Sequence, residues 1–293
     1  MTARAAAGPV LVALAVMVVW GTTPVATCLA VLEVDPFVVA LARTVIGGAV
    51  AIPLALLMGI RPPRGRRTIT LVLLAGFSGF VGFPLLYNVG QQMTSALHGS
   101  LILAGMPVLT GLYAALADRA RPKRRWLAGC AVAVAGEALL IGARGPDAGS
   151  ASLIGDLIIV ASALIVPVGY VLGARATQSG FSSLGTTLWG LGAGALVLAP
   201  ALAIKLAVSG PPGGGMAAWG ATVWLAIVTS ILGYIGWYWA LARGGIQRIA
   251  VMQFLQPVSG LVLAILLLGE QPSLTLAAAA ALIIGGIVIA QRR

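Results

Sequence analysis

The chain has 293 residues, of which 60% are hydrophobic and only 9% charged, and its formal net charge is +11. A water-soluble domain carries about a quarter charged residues, so this composition excludes an ordinary soluble protein and predicts an integral membrane protein. The excess of Lys and Arg does not indicate nucleic-acid binding, because these residues stand in short segments between apolar runs, where membrane topology and anionic lipid explain them.

Apolar runs of about 20 residues, the length that crosses the hydrocarbon core of a bilayer, recur along the whole chain. The ten predicted spans are 9–28, 36–58, 68–90, 95–117, 124–142, 152–174, 181–205, 217–241, 247–268 and 272–290. They are predicted to be helices, because membrane strands would alternate in polarity over short segments. The first run follows Arg4 and could be a signal peptide, but it is long and lacks a small-residue cleavage site, so we interpret it as a span.

The charged residues predict how these helices are oriented. Fifteen Lys and Arg residues fall on one side of the predicted topology, and only Arg144 and Lys205 fall on the other. Five of the seven acids lie on that other side: Glu33, Asp35, Asp147, Asp156 and Glu270. Because cytoplasmic loops collect positive residues, both termini are predicted to be cytoplasmic and the protein to lie in the cytoplasmic (inner) membrane.

The same residues recur about 150 positions apart, which indicates an internal duplication. Pro107-Val108, Ala114, Leu116, Pro122, Ala128, Ala131 and Gly136 recur as Pro257-Val258, Ala264, Leu266, Pro272, Ala278, Ala281 and Gly286. Five spans is an odd number, so the second copy enters the membrane from the opposite side. The predicted fold is therefore all-α, with ten transmembrane helices in two inverted five-helix repeats.

The predicted domains are a first repeat over residues 1–142, an extracellular linker over 143–155 and a second repeat over 156–293, with span six starting near 152. Inverted repeats favour transport by alternating access, because two similar units can exchange conformations across the membrane. A channel or an inert scaffold is the alternative.

Several short motifs occur in a characteristic order. They are Val19-Trp20-Gly21-Thr22-Thr23-Pro24, Arg43, Thr94-Ser95-Ala96, Pro107-Val108 and Leu268-Gly269-Glu270. These motifs resemble those of the EamA-type drug/metabolite transporters, ten-helix carriers formed by duplication of a five-helix unit, over almost the whole chain. Within that superfamily the chain is most similar to the aromatic amino acid exporters of the YddG type. The direction of transport, export, is implied by this resemblance alone.

Polar and aromatic residues recur at spacings of three and four on one face of four spans, which indicates the lining of a cavity. The candidate substrate-binding residues are Trp20, Thr23, Tyr87, Asn88, His98, Tyr234, Tyr238, Gln253 and Gln256. Tyr87 and Tyr238 could instead anchor helices at the headgroups, and buried amides could join helices. His98 could bind a carboxylate, act as a pH-sensitive gate or make an interhelical hydrogen bond.

Arg43 and Glu137 are the clearest charges inside predicted spans, at similar distances from the outer ends of their helices. They could pair or share a polar network; alternatively, Arg43 reaches outward to the surface, or Glu137 titrates during transport. Pro107 and Pro257 are equivalent and nearly mid-membrane, so they are predicted to kink their helices and act as hinges. Glycines are predicted to allow close contact between helices, notably Gly129, Gly136, Gly285 and Gly286.

A carrier of strongly anionic solutes would need several Lys or Arg residues in its cavity, and here Arg43 stands nearly alone. A dedicated exporter of cations would usually have a carboxylate at mid-depth, for which Glu137 is the sole candidate. The expected function is a secondary transporter that exports small amphipathic solutes, most readily aromatic or other neutral amino acids and related metabolites. The rival function is a broad-specificity multidrug exporter of cationic drugs, for which Glu137 would be essential.

An enzyme is not expected, because the chain has one His, no metal-ligand cluster and no phosphate-cradling loop. No catalytic residue, metal or cofactor is predicted. The expected partners are a small-molecule substrate and the lipid bilayer, without nucleic acid, and the expected state is a monomer, with a dimer as the alternative.

Overall fold

The computed structural model describes residues 3–93, 102–142, 152–268 and 274–292, and the regular structure within these ranges is helical, as predicted. The α-helices are α1 Ala3–Gly21, α2 Thr23–Val31, α3 Pro36–Leu57, α4 Arg66–Gly76, α5 Phe83–Gln91, α6 Met106–Ala117, α7 Arg124–Gly142, α8 Leu153–Gln178, α9 Ser183–Ser209, α10 Met216–Trp224, α11 Gly233–Gly244, α12 Ile246–Ala250, α13 Leu255–Leu268 and α14 Leu274–Gln291.

Six helical stretches of the described chain are long and apolar enough to cross a membrane. They are Ala7–Val31, Pro36–Leu57, Arg66–Gly90, Leu153–Gln178, Ser183–Ser209 and Met216–Gly244. They coincide with predicted spans one, two, three, six, seven and eight. Shorter apolar helices cover Met106–Ala117 and Ala277–Gln291. The count of ten spans stays a prediction, because predicted spans four, five, nine and ten are not among these six stretches.

Several spans are interrupted by short segments that are not α-helical. A π-helical segment, Phe77–Gly82, joins α4 to α5, and a second, Leu225–Leu232, joins α10 to α11. A 3₁₀ segment, Val251–Phe254, joins α12 to α13. The π-helical segments end 150 residues apart, which is the spacing of the sequence repeat. Because π-helical turns are rare and concentrate at functional sites, these interruptions direct attention to the bundle centre.

Both predicted hinge prolines lie at the start of a helix that follows such an interruption. Pro107 is in the first turn of α6, after a turn at residues 104–105. Pro257 is in the first turn of α13, directly after the 3₁₀ segment. A proline costs little there, because its missing N–H would have no partner in the helix. Bending at these two positions stays a prediction.

The principal helix pairs join the first half of the chain to the second. The helix α3 packs along α9, α7 along α14, α1 against α11, and α5 against α8. In terms of the predicted spans, span two packs against span seven, span five against span ten, span one against span eight and span three against span six. Such reciprocal pairing is what two copies related by an approximate two-fold axis would produce.

Charged side chains make different contacts at the two ends of the helix bundle. At one end, here called the basic end, Arg175 of α8 forms an ion pair with Asp118, next to α6. At the opposite end, here called the acidic end, the Glu33 carboxylate accepts a hydrogen bond from the backbone N–H of Gly215 at 2.6 Å. Which end faces the cytoplasm stays a prediction.

Glycines bring α7 and α14 into direct backbone contact. A Cβ atom at Gly286 would lie 2.6 Å from the carbonyl oxygen of Gly129 and from the backbone nitrogen of Ala133. A Cβ atom at Gly136 would similarly lie 2.9 Å from the Ala279 carbonyl oxygen. These glycines play the predicted role, whereas a Cβ atom at Gly285 would meet no atom within 4 Å.

We therefore expect Gly286→Ala to destabilise the protein by about 1–3 kcal/mol, because backbone atoms of α7 would have to move. The neighbouring substitution Gly285→Ala is the matched control. It should be neutral or stabilise the protein by up to about 1 kcal/mol, because alanine has the higher helix propensity. Thermal unfolding of the purified protein in detergent compares the two, and equal losses would contradict the close helix contact.

Asp35 ties the start of α3 to α9 at the acidic end. Its carboxylate accepts hydrogen bonds from the backbone N–H groups of Phe37 and Val38, at 2.9 and 3.0 Å, and lies 3.1 Å from Lys205 Nζ. Partial burial acts to raise the pKa of Asp35, but these hydrogen bonds and the Lys205 charge outweigh it and hold the pKa below its ordinary value of 3.8. The ionised form is therefore favoured in the folded state.

We expect Asp35→Ala to lower the free energy of unfolding by about 1 kcal/mol at pH 7, because α3 loses its N-cap. Asp35→Asn keeps a capping oxygen and loses only the exposed ion pair, so its effect should be smaller. The folded-state pKa is depressed, so the stabilisation is complete above pH 3.8 and is lost as the pH falls through the lower folded value. Unfolding midpoints at pH 7, 5 and 3 test this, and a wild-type advantage unchanged at pH 3 would contradict it.

Candidate functional site

Aromatic side chains from both halves of the chain meet inside the bundle. They are Trp20, Phe80, Tyr170, Tyr234, Trp237 and Tyr238, here called the aromatic cluster, and none is more than 5% exposed. The Trp20 ring stacks on Tyr170, with centroids 6.0 Å apart and planes 23° apart. It also lies 5.4 Å from both Tyr234 and Trp237. Trp20 is thus the ring that joins α1 of the first half to α8 and α11 of the second.

Tyr234 and Tyr238 extend the cluster along α11. Tyr234 packs on Phe80 at 4.5 Å and on Tyr238 at 5.5 Å. Tyr238 lies directly over Gly173 of α8, where a Cβ atom would come within 2.2 Å of the ring. The close fit leaves no room for a side chain at position 173.

The aromatic cluster lies in the half of the bundle nearer the basic end. Tyr170 is about two turns before the end of α8 at Gln178, and Tyr238 is about two turns before the end of α11 at Gly244. At roughly 1.5 Å per residue, both lie on the order of 10 Å from those ends. The cluster therefore separates the basic end from the rest of the bundle.

Arg43 of α3 binds the second π-helical segment. Its Nε donates a hydrogen bond to Ser230 Oγ at 2.9 Å, and its Nη2 donates to Thr229 Oγ1 at 3.0 Å. Both hydroxyls in turn donate to the Leu225 carbonyl oxygen, at 2.9 and 2.7 Å respectively. A hydroxyl has one proton, and here it is committed to Leu225, so only lone pairs face the guanidinium. The π-helical segment thus forms a preset acceptor for one edge of Arg43.

Backbone carbonyls of the two π-helical segments accept hydrogen bonds from side chains of other helices. Trp20 Nε1 donates to the Thr229 carbonyl oxygen at 2.9 Å. In the first half, Thr44 Oγ1 donates to the Phe80 carbonyl oxygen at 3.1 Å. Thr229 therefore touches the aromatic cluster through its carbonyl and Arg43 through its hydroxyl.

The structure does not bring Arg43 and Glu137 together. Arg43 binds the Thr229–Ser230 hydroxyls, whereas Glu137 belongs to α7, which packs along α14, and its Oε2 has no hydrogen bond among the described residues. The titratable groups close enough to act on Arg43 are Tyr234 and Tyr170, and phenols ordinarily ionise only near pH 10. No carboxylate of the described chain therefore forms an ion pair with Arg43.

Three of the predicted site residues, Trp20, Tyr234 and Tyr238, come together in the aromatic cluster. Gln253 adjoins it: its Nε2 lies 3.5 Å from the Tyr170 hydroxyl, which is the outer limit for a hydrogen bond. The other amide atom, Gln253 Oε1, is buried and has no hydrogen bond within the described part of the chain.

Four further predicted residues keep part of their surface accessible: Thr23, Tyr87, Asn88 and Gln256. Tyr87 stacks on Phe83 with ring centroids 5.6 Å apart, and Asn88 Nδ2 donates to the Pro84 carbonyl oxygen at 2.7 Å. His98 lies outside the described residues. These four residues are thus partly exposed, whereas the side chains of the aromatic cluster are buried.

The sequence did not single out Tyr170, Phe80 or Thr229. Tyr170 has no aromatic partner at helical spacing on its own helix, but it lies 150 residues after Trp20, the period of the duplication, and that relation could have identified it. Phe80 and Thr229 carry no such pattern. Their role follows from the π-helical segments, which the sequence does not reveal.

The sequence matches the profile of the EamA-like transporter family twice, over residues 8–142 and 153–291. The chain belongs to the EamA-like transporter family. The resemblance that the sequence motifs indicate is therefore confirmed. The two matched ranges also leave out residues 143–152, which lie within the predicted linker.

Named relatives of this EamA-like transporter include further transporters. The chain is 31% identical to the uncharacterized transporter YdeK of Bacillus subtilis strain 168, over 94% of each chain. It is 29% identical to a probable terminal-alkyne amino-acid exporter of Streptantibioticus cattleyicolor, over 80% of this chain and 77% of that one. It is 27% identical to the aromatic amino acid exporter YddG of Ancylobacter novellus, over 96% of each chain.

A crystal structure that is 25% identical in sequence shares the fold of this EamA-like transporter, with a TM-score of 0.82 over 97% of this chain and 96% of that one. The protein is thus a membrane transporter of small molecules. Among its described residues, no group of three or more His, Cys, Asp or Glu side chains could hold a metal ion.

We expect Trp20→Phe to lower the free energy of unfolding by about 1–3 kcal/mol. Phenylalanine keeps an aromatic ring at this position, but the buried Thr229 carbonyl loses the indole N–H that donates to it. Trp224→Phe is the control: Trp224 Nε1 donates to Thr22 Oγ1 at an exposed position, and that hydroxyl keeps its own bond to the Val19 carbonyl. Thermal unfolding in detergent measures both. A loss for Trp20→Phe no greater than for Trp224→Phe would contradict a structural role for the indole N–H.

Proposed function

We propose that this EamA-like transporter exports small amphipathic solutes, above all aromatic or other neutral amino acids, across the cytoplasmic membrane by alternating access. The moving units are two inverted five-helix repeats, residues 1–142 and 156–293, joined by the linker 143–155. The basic end and both termini face the cytoplasm, because positive residues collect there.

The observation that carries this proposal is that the aromatic cluster is built by both halves. Trp20 and Phe80 come from the first half, and Tyr170, Tyr234 and their neighbours come from the second. If the halves rock against each other, these ring contacts must part, because they cross from one half to the other. The cluster would then close the path to the basic end in one state and release it in the other.

The chemistry of the cluster suits an aromatic solute. Aromatic faces stack on a flat side chain and also bury its apolar surface. The partly accessible polar residues, such as Asn88 and Gln256, could meet the polar ends of an amino acid by hydrogen bonds. A solute that is apolar at one end and polar at the other therefore matches this arrangement.

The named relatives support the same class of cargo. Two of them are named as exporters of amino acids, one aromatic and one bearing a terminal alkyne. These substrates share the amino acid head group and differ in the side chain. We infer that this transporter likewise recognises an amino acid, with the aromatic cluster favouring an aromatic side chain.

The rival function, export of cationic drugs, would need a carboxylate beside the transport path. Glu137 is buried on α7, and none of the ring contacts of the cluster involves it. Arg43, in contrast, reaches Thr229, which accepts the Trp20 hydrogen bond. Among the described residues, the charged side chain that shares a hydrogen-bonding residue with the cluster is thus positive, which disfavours a cationic cargo.

Counterflow in proteoliposomes tests the proposal. Vesicles preloaded with unlabelled phenylalanine should take up external labelled phenylalanine transiently above its equilibrium level, because a carrier exchanges solutes and a channel does not. Trp20→Ala should slow this exchange at least about tenfold, equivalent to roughly 1.4 kcal/mol. The control is Trp239→Ala, since Trp239 lies under the Arg243 guanidinium and outside the cluster.

Absence of overshoot with phenylalanine, tryptophan and leucine would overturn the proposal. If lipophilic cations then show counterflow, and Glu137→Gln abolishes it, the protein is a multidrug exporter. Rapid flux without overshoot would identify a channel.

A further inference from the structure

Arg43 is a cation inside the membrane-spanning part of the bundle, and no carboxylate of the described residues pairs with it. Its two hydrogen bonds go to neutral hydroxyls, and the tyrosines near it are neutral at physiological pH. A charged side chain in the membrane is costly unless it is paired or faces water, and such residues usually mark a substrate path. Arg43 also retains part of its surface accessible, unlike the aromatic cluster beside it.

The hydrogen bonds of Arg43 leave one edge of the guanidinium unused. The group has five N–H donors, and the Nε/Nη2 edge is occupied by Ser230 and Thr229. Among the described residues no acceptor is bound to Nη1 or to the second hydrogen of Nη2. These N–H groups are parallel and match the two oxygens of a carboxylate, the bidentate geometry in which Arg binds carboxylates most strongly.

The occupied edge fixes the free edge in place. Ser230 and Thr229 cannot turn their protons toward Arg43, because both protons are donated to the Leu225 carbonyl oxygen. The guanidinium is therefore oriented before a solute arrives, which lowers the entropy cost of binding. Two charge-assisted hydrogen bonds to Arg43 would offset the free energy needed to remove the carboxylate from water.

The position of Arg43 relative to the aromatic cluster suits an amino acid. Thr229 binds Arg43 through its hydroxyl and Trp20 through its carbonyl, so one residue separates the cation from the central indole. A carboxylate on Arg43 would thus bind close to the aromatic rings, so the side chain of the same solute could reach them. A phosphate monoester is a poorer match, because its second negative charge would find no further cation among the contacts of Arg43.

We propose that Arg43 is the binding site for the substrate carboxylate and thereby restricts transport to solutes that carry one. This inference rests on the proposed export of amino acids and names the group that selects them. It assigns Thr229 and Ser230 as positioning residues, which hold the guanidinium without touching the substrate.

The experiment compares two analogues of phenylalanine as competitors of labelled phenylalanine counterflow. One, 3-phenylpropanoate, keeps the carboxylate and lacks the ammonium group; the other, phenethylamine, keeps the ammonium group and lacks the carboxylate. The wild type should be inhibited at least tenfold more strongly by 3-phenylpropanoate. Arg43→Gln should raise the KM for phenylalanine at least thirtyfold and abolish the preference between the analogues.

Lys205→Gln is the matched control, because it also removes one positive charge near a helix interface, where Lys205 binds Asp35. It should leave the preference between the analogues unchanged. If Arg43→Gln does not yield folded protein, the variant Arg43→Lys tests the carboxylate site instead. Lysine keeps the charge but lacks the two parallel N–H groups, so the KM for phenylalanine should rise at least tenfold with a smaller change in kcat.

The possible failures are distinguishable. Wild-type vesicles without amino acid counterflow would overturn the proposed function. Wild-type counterflow together with an Arg43→Gln variant that still prefers 3-phenylpropanoate would overturn only the carboxylate site. An unchanged KM in Arg43→Lys would overturn it as well.

Discussion

The structure depends on one constraint, which is that backbone polar groups inside a bilayer must find partners within the protein. A continuous α-helix meets this constraint by itself, but the π-helical segment Leu225–Leu232 also draws on side chains from outside its own helix. The Thr229 carbonyl binds the Trp20 indole, and the Thr229 hydroxyl binds Arg43. The helical irregularity is therefore what connects the first half of the chain to the second at the bundle centre.

This constraint also bears on how the aromatic cluster is held inside the bundle. Trp20 carries an N–H group that must be satisfied when buried, and the Thr229 carbonyl satisfies it. Once the indole is fixed by that bond, the rings of Tyr170, Tyr234 and Trp237 can pack on its surface. The cluster thus combines one hydrogen bond between the halves with the apolar area buried around it.

Much of the fold is predictable from the sequence because the bilayer restricts it so strongly. Apolar runs of sufficient length predict the helices, and helical spacing alone places Tyr234 and Tyr238 on one face. The partners of Arg43 are not predictable in this way, because adjacent residues of an α-helix point in different directions. Only the π-helical geometry lets Thr229 and Ser230 both reach the Leu225 carbonyl, four and five residues earlier.

The pairing of Arg43 with Glu137, one of the alternatives that the sequence left open, shows the limit of arguments from depth. Both residues lie at similar distances from the ends of their helices, but depth does not specify which helices are neighbours. The helix α3 packs along α9, while α7 packs along α14, so the two charges belong to different helix pairs. Contact between helices depends on small residues such as Gly48 and Gly286, whose partners a single sequence does not identify.

The two halves are alike in architecture but not in chemistry, and this difference bears on what the centre can bind. At the repeat spacing of 150 residues, Gly79 and Phe80 of the first half are equivalent in sequence to Thr229 and Ser230 of the second. Gly79 makes room for the ring of Tyr234, where a Cβ atom would come within 3.1 Å. At these two positions the first half is therefore apolar, while the second half supplies the hydroxyls that orient Arg43. Two identical repeats would present the same groups at both positions, whereas here a glycine and a ring in one half correspond to two hydroxyl-bearing residues in the other.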